Sequence, residues 1–287
     1  MNILLPLLLV TGSLFAQDFT FDKEKGQAIP TYVGQLRLVR GSVYKKVKGE
    51  LQAVKIGTRF SKSDTLVTEE KSFARIQVVD DTVITLGQNS ELNFEEFKFT
   101  DKTNRQAVFN FIKGQLTGHV RNKAKEGDIQ VRTKTAVMGI RGTQILVNHQ
   151  TVKAREISEF ALLSGSADVT DPQGSRSALA KADRLVVVTN PTTQASGSEK
   201  QKLSEALLKE LEAEGLNEEK EFRPFMPYFD VKSLEKNSSL HALLVDQADA
   251  KAEPSATPDS KPTDKKHWKE NLDKLNEHLK ENQKKSR

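Results

Sequence analysis

The sequence predicts an all-β fold, an antiparallel β roll or sandwich, followed by an α-helical extension and a disordered tail tipped by a helix. Three observations lead to this class. Apolar and polar residues alternate along many short segments between residues 32 and 190. Valine, isoleucine, threonine and phenylalanine dominate those segments, as pleated surfaces prefer. Turn residues recur at short intervals between them, which is typical of sandwiches and rolls.

The first segment, residues 1–16, has no charged side chain and is almost wholly apolar from residue 3 to residue 15. A helix of that length spans about 20 Å, too short for a hydrocarbon core of about 30 Å. We interpret it as a signal peptide cleaved after Ala16, which predicts export to the periplasm, with secretion as an alternative. An N-terminal strand or a membrane-associated helix is the other interpretation. No later stretch is apolar enough to span a membrane after signal removal.

Residues 17–31 are polar and are expected to form an extended linker before the β domain of residues 32–190. Inside that domain, the pair Asp80-Asp81 separates two β-branched runs and predicts a hairpin. The pair Glu95-Glu96 interrupts an alternation of phenylalanines and predicts a kink or bulge.

A weak internal echo surrounds three glycines: Gly41, Gly114 and Gly165. Each is preceded by an apolar and a polar residue and followed by a polar and then an apolar or small residue. The spacings are unequal, which excludes a regular solenoid repeat. We therefore expect three equivalent bends, at which successive strands cross the same edge of the fold.

Residues 131–147 are the most distinctive stretch, because two apolar runs flank a turn of small residues. The turn consists of Gly139, Ile140, Arg141, Gly142 and Thr143. Glycine accepts positive φ and close backbone approach, so this turn can bend a strand. The guanidinium of Arg141 has five donors that can fasten carbonyls. We expect a structural role for the turn; the alternative is that Arg141 faces solvent and holds a partner.

This stretch resembles the signature of the FecR domain, a bacterial extracytoplasmic module. The family pattern, approximately T-x-x-A-x-x-G-V-R-G-T-x-F, reads here from Thr133 through Ala136 to Ile145, with isoleucine at the valine and phenylalanine positions. Four further motifs of the family also occur in this sequence, and all five stand in the family's order over about 150 residues. The four further motifs are found around residues 41–68, 74–90, 111–116 and 163–186.

The resemblance implies a non-enzymatic binding or signal-sensing module in the periplasm, with a protein partner in the cell envelope. In the best-known family members, the domain relays the state of an outer-membrane receptor to a cytoplasmic sigma factor. That relay uses a cytoplasmic segment and a membrane helix before the β domain, which this sequence does not show, so only the periplasmic binding part carries over. The alternative is an envelope structural or adaptor protein whose tail engages peptidoglycan or an envelope complex.

Composition and spacing point away from catalysis and from cofactors. The chain has no cysteine, which excludes thiol nucleophiles, disulfides and iron–sulfur sites. Its five histidines show no zinc-binding spacing, so we expect neither a metal nor a cofactor. A basic alternation at Arg121, Lys123, Lys125, Arg132 and Lys134 lacks interleaved aromatics, so we expect no nucleic-acid partner. The sequence leaves the ligand and the oligomeric state open.

The composition changes after residue 190. Residues 191–247 are expected to form a helical and aromatic extension, with Ser198 capping a helix over residues 199–214 and an aromatic cluster at residues 222–229. Residues 248–287 are predicted to be a disordered linker and a terminal amphipathic helix. The apolar face of that helix consists of Trp268, Leu272, Leu275 and Leu279.

Overall fold

The structure is a computed structural model that describes residues 19–22, 26–101, 104–122, 125, 128–215, 240 and 243. The expected signal peptide, the aromatic cluster at residues 222–229 and the predicted tail with its terminal helix lie outside the described residues. Nineteen strands and one helix form in the described part. The early strands are β1 Phe19–Asp22, β2 Gln27–Pro30, β3 Gly34–Arg40, β4 Val43–Val47, β5 Glu50–Ala53, β6 Arg59–Phe60, β7 Thr65–Thr68, β8 Phe73–Val78, β9 Val83–Leu86 and β10 Glu91–Asp101.

The remaining elements begin with the longest described strand. They are β11 Asn104–His119, β12 Ile129–Arg132, β13 Val137–Ile140, β14 Gln144–Val152, β15 Arg155–Ser164, β16 Ser166–Thr170, β17 Arg176–Ala180, β18 Asp183–Thr189, β19 Ser196–Lys202 and the helix α1 Glu205–Gly215.

Two sheets share strand β11. Sheet I has the strand order β6-β3-β8-β9-β11-β14-β15-β18-β19. Sheet II has the order β5-β4-β7-β10-β11-β12-β13-β16-β17. The N-terminal half of β11 belongs to sheet II and its C-terminal half to sheet I. The predicted all-β class is confirmed.

The two sheets are one sheet, antiparallel except at the β11–β12 pair, that is folded over along a line, which we call the crease. The chain passes from one sheet to the other along β3–β4, β7–β8, β9–β10, β13–β14, β15–β16 and β17–β18, and within β11. Neighbouring passages stay paired on both sides of the crease: β3 pairs with β8 in sheet I, and β4 pairs with β7 in sheet II. Folding the sheet in this way brings its two inner faces together.

One apolar core fills the space between the inner faces. Its members come from alternate positions of strands in both sheets, as the two-residue period of a strand requires. The largest fully buried of these side chains are Phe60, Phe94, Phe111, Phe160, Leu36, Leu66, Ile76, Leu86, Leu92, Leu116, Ile129 and Met138.

The crease depends on close contact between a glycine and a hydroxyl residue. At Gly114, inside β11, φ is +99°. A Cβ atom there would lie 2.5 Å from Ser90 Cα and 2.1 Å from Ser90 Oγ. The backbone N–H of Gln115 donates to Ser90 Oγ at 2.9 Å. Only a residue without a side chain allows this approach, so Gly114 lets the longest described strand bend from one sheet into the other.

The other two glycines of the sequence echo occupy the same kind of position. Gly41 joins β3 to β4 with φ +67° and lies against Ser72, whose Oγ accepts the N–H of Ser42 at 2.8 Å. Gly165 joins β15 to β16 with φ +78° and lies against Thr143. The prediction of three equivalent bends at one edge is therefore confirmed.

The helix α1 packs on the outer face of sheet I. Leu207, Leu208 and Leu211 of α1, with Leu203 before it, pack on outward residues of β14 and β15. The predicted helix forms and its leucines share one face, but it begins at Glu205 rather than at residue 199. Residues 196–202 instead extend sheet I as β19, which pairs with β18 beyond the expected domain end at residue 190. Ser204, not Ser198, caps the helix through the N–H of Leu207.

Several local predictions hold, and two need correction. The β8–β9 hairpin turns at Asp80-Asp81, with φ +69° at Asp81, and β10 has a register shift between Phe94 and Glu96. Antiparallel pairing holds for every described pair except β11–β12, which is parallel. The expected linker of residues 17–31 contains the β1–β2 hairpin. The parallel pair joins chain segments that are distant in sequence, such as Ala107 and Ile129, and local patterns do not report such pairing.

We predict that Gly114→Ala lowers the free energy of unfolding by about 2–4 kcal/mol, because it adds a collision with Ser90 to the strain of positive φ. The matched control is Gly49→Ala in the β4–β5 turn, where φ is +92° and nothing lies within 4 Å of the added Cβ. That variant isolates the φ strain, about 1–2 kcal/mol. Denaturant unfolding measures both, and equal losses would contradict the proposed contact at the crease.

Candidate functional site

The signature turn lies on the crease. Gly139 and Ile140 end β13 in sheet II, and Thr143 precedes β14 in sheet I. The hydroxyl of Thr143 donates to the carbonyl of Ser164, next to Gly165, and the side chain of Ile140 is buried in the core. The turn thus connects the two sheets, although the structural role predicted for it remains a prediction.

Gly142 adopts a conformation that recurs along the crease. Its φ is +63°, and it immediately precedes Thr143. Lys71, which precedes Ser72, has φ +55°, and Asn89, which precedes Ser90, has φ +52°. The three positions share a left-handed residue followed by a hydroxyl residue that backs a crease glycine. Lys71 and Asn89 carry side chains at two of these positions. The bend therefore accepts a residue that is not branched at Cβ, at a cost in conformational free energy.

Other residues of the signature open onto the outer face of sheet II. Gly139 lies opposite Gln130 on one neighbouring strand and opposite Asp168 on the other. Around this row is an open groove with a volume of about 200 Å³. Its lining consists of Gln130, Val137, Gly139, Arg141, Asp168, Thr170 and Arg176. The exposed Arg141 is therefore a groove residue, whereas Ile140 and Thr143 of the same turn are buried.

Charges in the groove are coupled. Arg176 Nη2 lies 2.9 Å from Asp168 Oδ2. This hydrogen bond, together with the positive charges of Arg176 and Arg141, holds the pKa of Asp168 below its usual value against a smaller opposing effect of burial. Asp168 is therefore ionised at neutral pH, and the groove presents two guanidinium groups and one carboxylate.

Sequence reasoning missed a buried polar cluster at the end of the core. His149 Nδ1 lies 2.9 Å from Ser158 Oγ, and His149 Nε2 lies 3.4 Å from Glu156 Oε2. Ser158 also donates to Thr133 of the signature stretch at 2.9 Å. The residues are 9 or fewer positions apart on β14 and β15, but only the register of that pair brings them together. The available signal was the polar residues that interrupt two apolar strands.

Burial sets the protonation of this cluster. Desolvation lowers the pKa of His149 to about 4, opposed by the nearby Glu156 charge. Desolvation favours the neutral form of Glu156, but hydrogen bonds from Lys134 and Thr151 outweigh it, so its pKa lies below the ordinary value. At neutral pH the imidazole is thus neutral and the carboxylate is charged, with Lys134 Nζ at 2.6 Å as its ionic partner.

A serine, a histidine and a carboxylate in contact invite comparison with a hydrolase triad. Here Ser158 is 0% exposed and His149 is 2% exposed, so no substrate carbonyl can reach the hydroxyl.

Within the described ranges, no three His, Asp or Glu side chains are grouped to hold a metal ion. In the same part of the chain, no helix is long and apolar enough to cross a membrane.

Two members of the predicted basic alternation have acidic partners. Arg132 Nη1 lies 2.5 Å from Glu95 Oε1, and Lys134 pairs with Glu156. Arg121 and Lys125 are exposed, and Lys123 lies outside the described residues. The alternation is thus partly neutralised on the protein itself.

We predict that Gly142→Val lowers the free energy of unfolding by about 1–3 kcal/mol, since a β-branched residue disfavours the left-handed region. Gly142→Asn is the control, because asparagine already adopts this conformation at Asn89; we expect a loss below about 1 kcal/mol. Denaturant unfolding of both variants decides the point. Similar stabilities would show that the bend does not constrain position 142.

We predict that acid destabilises the protein through His149 before carboxylates titrate. The folded pKa of about 4 lies below the ordinary 6.5, so protonation favours the unfolded chain. Stability is full above pH 6.5 and falls by up to about 3 kcal/mol toward pH 4. The fall between pH 6.5 and 4.5 should be smaller in His149→Gln. The variant His119→Gln provides the comparison with a second histidine, because burial and the charge of Arg121 also lower the pKa of His119. An unchanged slope in His149→Gln would contradict the assignment.

Comparisons with known proteins match part of this chain to one family model. Residues 64–168 match the family model described as FecR protein. Two crystal structures of a candidate anti-sigma factor from Parabacteroides distasonis, at 1.65 and 2.50 Å resolution, are each 16% identical to this chain. Their matches cover 53% of this chain and 65% and 64% of theirs, less than two thirds, with TM-scores of 0.40 and 0.39. No curated protein matches the sequence.

The family match spans β7 to β15 completely, with part of β16, so it includes the central part of the crease and most of the groove. It also includes the whole signature, from Thr133 to Ile145. The resemblance drawn from the sequence is thereby confirmed: this chain carries a FecR domain over residues 64–168.

Proposed function

We propose that this protein is a non-enzymatic FecR-domain module that binds a protein partner in the bacterial cell envelope and takes part in signalling. The observation that carries the proposal is the groove, because the family signature itself supplies Gly139 and Arg141 to an open, charged surface. A binding module needs such a surface on a rigid support. The folded sheet provides the support, since the neighbouring positions Met138 and Ile140 are anchored in the core.

The non-enzymatic part of the proposal is supported by where the reactive side chains lie. Ser158, His149 and Glu156 are sealed inside the sandwich and contact one another rather than a cleft. The groove contains arginine, aspartate, glutamine and threonine side chains, which suit recognition by charge and hydrogen bonds. The periplasmic part is supported by the almost wholly apolar run of residues 3–15.

Site-specific photocrosslinking in intact cells tests this function. A crosslinking residue at Gln130 on the groove should capture a discrete envelope protein, identified by mass spectrometry. The matched site is Gln201, exposed on β19 of sheet I, where we expect no such product. Replacing Arg141 by glutamine should reduce capture at position 130, because the variant removes one groove charge and leaves the core intact.

Capture that is equal at both positions, or that is unchanged by Arg141→Gln, would contradict a partner site at the groove. Sedimentation of the chain with peptidoglycan, unaffected by groove variants, would favour the envelope adaptor instead. These outcomes separate a sensor that recognises a protein from a structural protein held by its tail.

A further inference from the structure

The two glycines of the signature have different physical reasons to be glycine. Gly142 has positive φ, whereas Gly139 lies in regular β13 and does not. A Cβ atom at Gly139 would meet only the carbonyl oxygen of Asp168, at 3.9 Å, an ordinary contact. By contrast, a Cβ at Gly114 would collide with Ser90. The backbone does not require glycine at position 139, so its effect is on the space above the sheet.

That space is the floor of the groove. In a strand, the outward residue between Gln130 and Asp168 would normally place a side chain between theirs. With glycine there, the floor stays open, and the groove has a volume of about 200 Å³. Val137 and Thr170 border the floor on one side, and Arg141 borders it on the crease side. A side chain of the size of leucine at Gly139 would fill this space.

The net charge of the residues around the floor favours a negatively charged ligand. Two guanidinium groups, Arg141 and Arg176, face one carboxylate, Asp168, which leaves one positive charge in the lining. Arginine presents a planar fork that matches carboxylate geometry. A single negative charge balances the lining, while a phosphate dianion would exceed it and stand close to ionised Asp168.

We propose that the groove binds the C-terminal carboxylate of an extended peptide segment of a partner protein, with Gly139 providing the room and Arg141 and Arg176 the charge. Gln130 and Thr170 offer side-chain donors and acceptors to the peptide backbone. The groove is open along the sheet face, so the last residue of an extended chain can enter without a conformational change. This inference deepens the proposed function, on which it rests, by naming the group that is recognised.

The test is peptide binding to the full exported chain, followed by NMR of backbone amides. The probe is N-acetyl-tetra-alanine with a free terminal carboxylate, and its C-terminal amide is the uncharged control. The acid should shift the amides of Gly139, Asp168 and Thr170, and the amide form should not. Gly139→Leu should abolish these shifts while keeping the melting temperature, because the floor accepts a side chain without backbone strain.

Arg141→Gln should weaken binding about tenfold, the effect of one charge-assisted hydrogen bond. Arg37→Gln is its control, since Arg37 is also exposed but lies on β3 in sheet I, and we expect no change. Equal shifts with the amidated peptide, or shifts that persist in both groove variants, would overturn the proposal. Equal displacement of the peptide by inorganic phosphate would overturn the assignment to carboxylate.

The crosslinking experiment and the peptide-binding experiment test different claims, so either can fail without the other. If position 130 captures a partner in cells but the free carboxylate has no effect, the binding function stands and the carboxylate inference is wrong. If the peptide acid binds through Gly139 and Arg141 but no partner is captured, the groove chemistry is right and the envelope partner is wrong.

Discussion

The close approach of a glycine backbone to a hydroxyl residue is the contact on which this fold depends. A sheet can be folded across its strands only where the chain bends sharply while its backbone groups stay paired. At Gly114, the contact with Ser90 meets both needs, because the missing side chain permits the approach and the hydroxyl accepts the N–H of Gln115. Repetition at Gly41 and Gly165 places several bends on one line, so the two faces of the sheet close on one core.

Four features could be predicted from the sequence because each has a local cause. They are the fold class, the equivalent bends at the three glycines, the Asp80-Asp81 hairpin and the register shift near Glu96. Alternation, turn chemistry and glycine conformation act over a few residues. Strand β19 was mistaken for a linker and the beginning of a helix, because its polar residues carry no alternation. Its strand conformation comes from pairing with β18, a tertiary effect.

The candidate site was only half accessible to sequence reasoning. The signature identified Gly139 and Arg141, but it did not show that they line a groove with Asp168 and Arg176, which are about 30 residues distant in the chain. Register across β13, β16 and β17 brings them together. The same limit hid the cluster of His149 and Ser158, whose members look like ordinary polar interruptions of a strand. Within one short turn, the structure separates residues that face the core from residues that face solvent.

Strand β11 joins two halves of the fold. Among the described strand pairs, strands β3 to β10 pair among themselves and with β11, and strands β12 to β19 do likewise. Each half of the sandwich therefore has contacts of short sequence separation, which close before long-range ones. Until β11 joins them, β9 and β10 on one side and β12 and β14 on the other present unpaired edges, the surfaces that invite pairing with other chains. The bent central strand thus joins two half-sheets around one core, and the strand edges that it covers are where pairing with another chain would compete with it.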